Sequence, residues 1–248
     1  MSAEERAAIY NSRPGDLKSY DCQICNNKGH VMEIIDNYEY MRECQCMEVR
    51  RSAKRLENSG LADVVEMYRL DNFETSENYQ EIMKRMAEDF LNKESGWFFV
   101  GGQVGSGKTH ICTAICSELM KKGKSVRYII WPETVTTLKA IKMQEVEYAD
   151  AMNDMKRYDV LYLDDFFKKQ VGMHPTSADV DIAFELLNSL YLQKGKRVII
   201  SSERTVQEIT DSIDQGLGSR IFQKCGEHQM FIKKDFGRNY RLKGEKHQ

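Results

Sequence analysis

The sequence predicts an α/β fold, a parallel sheet flanked by helices, preceded by a small cysteine-rich module. Near-continuous apolar runs, WFFV (97–100), VLYLDD (160–165) and RVIISS (197–202), alternate with stretches of helical period. Strands apolar on both sides suit a sheet covered on both faces, as parallel sheets are. The module is marked off because four of the seven cysteines fall within residues 22–46.

The elements follow in order. MEVRRSAKRLE (47–57) has a helical pattern with Gly60 as its stop, and Arg50, Arg51, Lys54 and Arg55 share one face by their spacing. That face reads either as a solvated helical linker or as a stripe meeting phosphate or a partner. SENYQEIMKRMAEDFLNK (76–93) repeats apolar residues at helical spacing, with Ser76 as N-cap. WFFV is a strand, KTHICTAICSELMKK (108–122) a helix and SVRYIIW (125–131) a strand, with a long helical stretch through Tyr148 and beyond. VLYLDD is a strand, DVDIAFELLNSLYLQK (179–194) a helix and RVIISS a strand; Thr205 and Glu208 then have capping-box spacing and open another helix. Cys112 and Cys116, four apart, read as small buried residues on one helix face.

Composition bounds the function. With 41% hydrophobic and 30% charged residues in 248, the chain is globular, and a net charge of −2 gives no global field for nucleic acid. Any such contact must be local; the lysines around 139–156 are interleaved with too many acids to make a patch by charge alone. The first residues, MSAEERAAIYNSRPGD, have no apolar signal core, and no run approaches the roughly 20 apolar residues of a membrane span. The expected location is cytoplasmic, with no membrane partner, where cysteines serve as thiols or metal ligands.

Gly102-Gln103-Val104-Gly105-Ser106-Gly107-Lys108-Thr109 fits G-x-x-x-x-G-K-[ST], with a strand before it and a helix, opening through His110, after it. Glycines let backbone N–H groups converge on phosphate oxygens with no Cβ in the way. The helix start adds its dipole. Lys108 suits the β- and γ-phosphates and the Thr109 hydroxyl suits Mg²⁺. Asp164 and Asp165 end an apolar strand: Asp164 is the expected Mg²⁺ holder, through water, and Asp165 the group that polarises the attacking water. These residues predict a nucleoside triphosphate, ATP with Mg²⁺.

The order of phosphate loop, acidic strand end, polar strand end (Ser201, Ser202, Glu203), LGSRIF and a late Arg241 in NYR resembles the AAA+ ATPases. More narrowly it resembles the DnaC/DnaI-type replicative helicase loaders, especially phage-encoded relatives, with IstB close by, over roughly residues 60–245. The resemblance implies that Arg220 is an arginine finger completing a neighbour's site, and that Arg241 contacts the phosphates in cis. The resemblance places a polar sensor at the strand end, where relatives often have an Asn after two small hydroxyl residues; Ser201, Ser202 and Glu203 stand there, with Ser202 among the candidate catalytic residues and the choice between the three open. Glu203 departs from that pattern, because a glutamate facing a triphosphate is repelled unless a cation intervenes. Tyr68–Phe73 stands where relatives contact adenine.

Cys22-x-x-Cys25 and Cys44-x-Cys46 form two ligand pairs, and four thiolates suit tetrahedral Zn²⁺. His30 in place of one cysteine, unligated thiols and an iron–sulfur cluster remain alternatives. By resemblance, such a module docks on the replicative helicase while the ATPase part binds ATP and single-stranded DNA. The expected division is a zinc module at 1–48, a basic helical linker at 49–60 and an AAA+ domain at 61–248. The expected function is an ATP-dependent loader of a hexameric replicative helicase, self-associating through its ATP site. An IstB-like transposition helper, a small-molecule or nucleotide kinase and a non-hydrolysing nucleotide-gated module are the rivals.

Overall fold

A computed structural model describes residues 2–18, 21–36, 38–56, 67–170 and 173–240. The N-terminal module comprises α1 (Ala3–Ser12), an antiparallel hairpin of β1 (His30–Ile35) and β2 (Tyr38–Glu43), and α2 (Cys46–Leu56). The segment between the two cysteine pairs is therefore built largely of a hairpin. Its buried apolar cluster is small: Cys22, Cys25, Val31, Cys44 and Cys46, with Met47 packed against them.

The larger part runs α3 (Asn78–Asn92), β3 (Gly96–Gly102), α4 (Lys108–Lys121), β4 (Val126–Ile130), α5 (Trp131–Ile141), α6 (Glu145–Lys156), β5 (Val160–Phe166), α7 (Ser177–Tyr191), β6 (Arg197–Ser202), α8 (Val206–Ser212), α9 (Gln215–Cys225) and β7 (Gln229–Ile232). Its five strands are parallel, in the order β4-β5-β6-β3-β7. Alternation along each strand feeds two cores. Trp97, Phe99, Leu161, Leu163, Val198 and Ile200 pack on the side of α5–α9. Phe98, Val100, Val160, Tyr162 and Ile199 pack on the side of α3 and α4, where Cys112 and Cys116 are also buried. The expected doubly covered parallel sheet is present.

Several local expectations shift. The strand before residue 131 ends at Ile130, because Pro132 suits the first turn of a helix and Trp131 opens α5. The helical stretch after it is two helices, α5 and α6. Glu77, not Ser76, caps α3, with the Gln80 side chain accepting from the Glu77 N–H at 2.8 Å. The Ser76 hydroxyl is instead 3.1 Å from that of Tyr240. Thr205 and Glu208 form the expected capping box.

The basic helix differs most. Arg51 pairs with Glu43 at 2.7 Å and with Glu48, while Arg50 donates to the Asn27 side chain at 3.0 Å and to the Lys18 carbonyl. These arginines hold the module together, so the helix carries no free basic stripe of four residues. Its other side docks on the sheet: Ser52 is buried, and its hydroxyl accepts from the Val126 N–H at 3.0 Å. The Arg55 side chain and Gly60 lie outside the described residues.

A buried carboxylate ties the acidic strand to its flanking helices. Asp179 in the first turn of α7 is fully buried and receives Lys139 of α5 and Lys169 of the loop after β5, each at 2.8 Å. Burial alone would raise its pKa, but the two lysines and the Thr176 cap hold the carboxyl well below the usual range. A carboxyl with a depressed native pKa stabilises the fold fully above the unfolded value of about 3.9, and that contribution fades as pH falls toward the native value. Asp179→Asn is therefore expected to cost about 2 kcal/mol at pH 7, with the gap from wild type closing below about pH 4, as read by urea unfolding across pH.

Candidate nucleotide site

The loop between β3 and α4 turns on three glycines with positive φ: Gly102 at 106°, Gly105 at 70° and Gly107 at 90°. Gly107 is the N-cap of α4, so Lys108, Thr109 and His110 form the first turn and their N–H groups face forward from the helix. A Cβ on Gly105 would meet the Asn239 side chain at 2.1 Å, and Tyr240 N–H donates to the Gly105 carbonyl at 2.9 Å. Asn239 and Tyr240 thus seat directly on the loop. Arg241, the expected cis contact, lies outside the described residues.

Lys108 is buried, and its ammonium donates to the carbonyls of Gly102 at 2.9 Å and Gln103 at 2.6 Å. Burial draws its pKa below the ordinary lysine value, against the opposing pull of Glu203 and Asp165. Val104, Gly105, Ser106, Gly107, Lys108, Thr109 and His110 line a cavity of about 460 Å³ with Asp164 and Asp165. That size falls within the range of small-molecule sites.

Both acids reach the cavity because β5 carries a bulge. Residues in register on β5 and β6 run from Leu163↔Ile200 to Phe166↔Ser202, leaving Asp164 and Asp165 against Ser201 alone. A regular strand would send successive side chains to opposite faces; the extra residue, with Asp165 at φ 53°, lets both face the cavity. Asp164 is held on three sides. The Tyr128 hydroxyl donates to Oδ2 at 3.0 Å, the Asp165 N–H to Oδ1 at 3.1 Å, and the Ser201 hydroxyl also to Oδ1. Burial first, and then Asp164, push the Tyr128 phenol up, so it stays a donor. These donors fix the carboxylate at a cavity that Thr109 also lines, and such hard oxygen donors fit an octahedral cation keeping several waters.

Ser202 is not at the cavity. Its buried hydroxyl donates to the Phe166 carbonyl at 2.7 Å and accepts from the Arg204 N–H at 3.1 Å. The pleat of β6 is the reason, since successive residues point to opposite faces and Ser201 takes the Asp164 side. Glu203, the next residue, does line the cavity, together with Lys168, which the motif pattern did not single out. Lys168 donates to Asp165 at 3.0 Å and pairs with Glu203 at 3.2 Å. Partial burial pulls its pKa down, but the two carboxylates outweigh this and hold it above the ordinary value.

The far wall is aromatic. Tyr68 stacks on His110 with ring centroids 4.6 Å apart and planes at 16°, and Phe73 meets the same ring edge-on at 5.0 Å. His110 donates from Nε2 to the Arg69 carbonyl at 3.0 Å, and burial lowers its pKa against the opposing effect of that bond. Gln80 and Tyr240 close the cavity, joined by a 2.9 Å hydrogen bond.

Arg220 on α9 is absent from this lining. Its guanidinium lies 4.8 Å over the Phe184 ring and donates to Asn188 at 2.9 Å and to the Gly216 carbonyl at 2.8 Å.

In the module, the four sulfurs lie within 4.8 Å of one another, with Cys22–Cys44 at 3.7 Å and Cys25–Cys46 at 3.5 Å. A ZnS₄ tetrahedron with bonds of about 2.3 Å has edges of about 3.8 Å, so the donors fit Zn²⁺. Burial raises the Cys25 thiol, but the Gly29 N–H at 3.3 Å and the neighbouring thiols draw it down to about 7. His30 is exposed and outside this cluster.

A phosphate loop on β3, an acidic pair on β5 and β6 running between them define a P-loop nucleotide-binding protein of AAA+ type. The chain belongs to the family of IstB-like ATP-binding proteins, whose model matches residues 20–247. It is 30% identical over 244 residues to the phage-like element PBSX protein XkdC of Bacillus subtilis, covering 92% of this chain and 89% of that one. It is 26% identical over 129 residues to the replicative helicase loader DnaC of Escherichia coli, spanning 50% of this chain and 51% of DnaC. Among solved structures, replication initiator DnaA bound to AMPPCP and single-stranded DNA superposes with a TM-score of 0.53 at 26% identity, over 73% of this chain and 54% of that one. The resemblance drawn from motif order holds, and nucleotide hydrolysis is the general activity of the AAA+ class. No helix among the described residues is long and apolar enough to cross a membrane.

Proposed function

We propose that the chain is an ATP-dependent loader of a hexameric replicative DNA helicase, with a zinc module at 1–48 and an ATPase domain at 61–248. The observation that carries the ATPase half is the single cavity shared by Lys108, Thr109, Asp164 and Asp165. In this reading Tyr68, Phe73 and His110 pack the adenine and the loop N–H groups take the phosphates. Lys108 exchanges carbonyl partners for charge-assisted bonds to phosphate oxygens. Thr109 and, through water, Asp164 would hold Mg²⁺, which when bound would supply neutralisation of phosphate charge. Asp165 accepts a proton from the attacking water as its oxygen bonds to the γ-phosphorus and the bridging oxygen leaves with ADP.

Arg220 stands outside its own cavity, which supports its service to a neighbouring subunit and hence self-association through the ATP site. The loader assignment is supported by the similarity to DnaC, and single-stranded DNA as a ligand by the similarity to the DNA-bound DnaA. The family match to IstB-like proteins favours a second reading, a transposition helper with the same ATPase core. One experiment separates them: a pull-down from the host with MgATP, using Lys108→Ala as control. The loader reading expects ATP-dependent capture of a hexameric helicase and its loss with Lys108→Ala. Capture of a transposase, or of neither, overturns it.

A further inference from the structure

Glu203 poses an electrostatic problem that the surrounding residues solve. It directly follows β6, the strand between the phosphate-loop strand and the acidic strand, and lines the cavity alongside Asp165. Two carboxylates facing a triphosphate in a partly desolvated site would oppose binding. Lys168 bridges them, at 3.0 Å from Asp165 and 3.2 Å from Glu203.

The backbone places this lysine with unusual firmness. Asp165 and Phe167 both adopt positive φ, 53° and 55°, and the Lys168 N–H closes the turn on the Asp165 carbonyl at 2.9 Å. Side chains on either side are pinned. Phe167 is buried, 4.3 Å from Phe166 between ring centroids, and Lys169 is locked to the buried Asp179. The Lys168 side chain itself stays 39% exposed, able to move its ammonium without moving the turn. A non-glycine backbone held in the left-handed region by its surroundings is a feature that functional sites accumulate.

We propose that Lys168 is the γ-phosphate contact of this site, a lysine that trades the Asp165 and Glu203 carboxylates for the terminal phosphate of ATP and so distinguishes ATP from ADP. A compact ammonium on a flexible stem suits such an exchange. Glu203 is the holder that keeps the lysine at the cavity, which accounts for a glutamate where a neutral polar residue is expected. Transfer of Lys168 to the phosphate also frees Asp165 to take the water proton, linking triphosphate recognition to hydrolysis.

The inference rests on the ATP-binding reading above, and equilibrium binding of MgATP and MgADP to the full chain separates the two. Wild type should bind both nucleotides. Lys168→Ala should weaken MgATP by about 10- to 100-fold, because the carboxylates are left unopposed, while MgADP changes by less than about threefold. Lys168→Arg should keep most of the preference for ATP, and adding Glu203→Gln to Lys168→Ala should recover at least part of the lost ATP affinity. Equal losses for ATP and ADP in Lys168→Ala, or no recovery in the double variant, would overturn the role of Lys168 while leaving the nucleotide site standing. Failure of wild type to bind either nucleotide would overturn both.

Discussion

Replacing Arg220 with alanine is expected to lower ATP turnover by about 10³-fold while leaving nucleotide affinity within about threefold of wild type. The split follows from position. Arg220 is not among the residues that line the cavity, so it contributes nothing to binding within its own subunit. Its side chain is nonetheless arranged with care: Phe184 under the guanidinium, Asn188 and the Gly216 carbonyl fixing two of its nitrogens. Such a cation, planar and always charged, is suited to the spread negative charge of a transferring phosphoryl group. Arg220→Lys keeps the charge but loses the fork and the stacking, so it should recover only a small part of the rate. Mixing provides the decisive arm. Lys108→Ala and Arg220→Ala proteins should each turn over ATP only very slowly alone, yet mixed assemblies would contain interfaces where an intact Lys108 site meets an intact Arg220. Partial recovery of turnover is expected, and none at all, with both variants folded and assembled, would show that Arg220 does not act across subunits.

Much of the ATPase fold was legible because its signals are local. The strands at 97–100, 160–165 and 197–202 are apolar on both sides, and G-x-x-x-x-G-K-T sits where a strand must turn into a helix. The Thr205 and Glu208 spacing likewise fixes a helix start through two hydrogen bonds three residues apart. What escaped is non-local or depends on a single backbone irregularity. Nothing in VLYLDDF announces the bulge that turns Asp164 and Asp165 toward one cavity, or the hydrogen bond from Ser201 to Asp164 that goes with it. Lys168 was passed over because its partners, Asp165 and Glu203, come together only after β5 and β6 pair. A signal was available in hindsight: an unexplained glutamate at a phosphate-facing strand end asks for a nearby cation. The two readings of the basic helix could not be separated from sequence for a related reason, since Glu43, Glu48 and Asn27 claim Arg50 and Arg51 through contacts that no helical wheel displays.

Removal of zinc is expected to unfold the N-terminal module and leave the nucleotide site working. The module's buried cluster consists of four cysteines and Val31, with Met47 against them, too little apolar area to hold a hairpin and two helices by burial alone. In small metal-bound units the apparent binding free energy, about 10–16 kcal/mol for structural Zn²⁺ near neutral pH, is in effect folding free energy. Elemental analysis of freshly reduced protein should therefore find one zinc per chain. Chelation, or Cys25→Ser, should open residues up to about 56 to limited proteolysis while MgATP affinity changes by less than about threefold. The effect should stop at the sheet edge, where Ser52 leaves the Val126 N–H; that group lies at the start of β4, remote from the phosphate loop on β3. Helicase capture in the presence of ATP should be lost together with the module. Protein free of zinc but protease-resistant through residue 56 would show that thiol packing suffices, and loss of ATP binding on chelation would show that the module supports the nucleotide site directly.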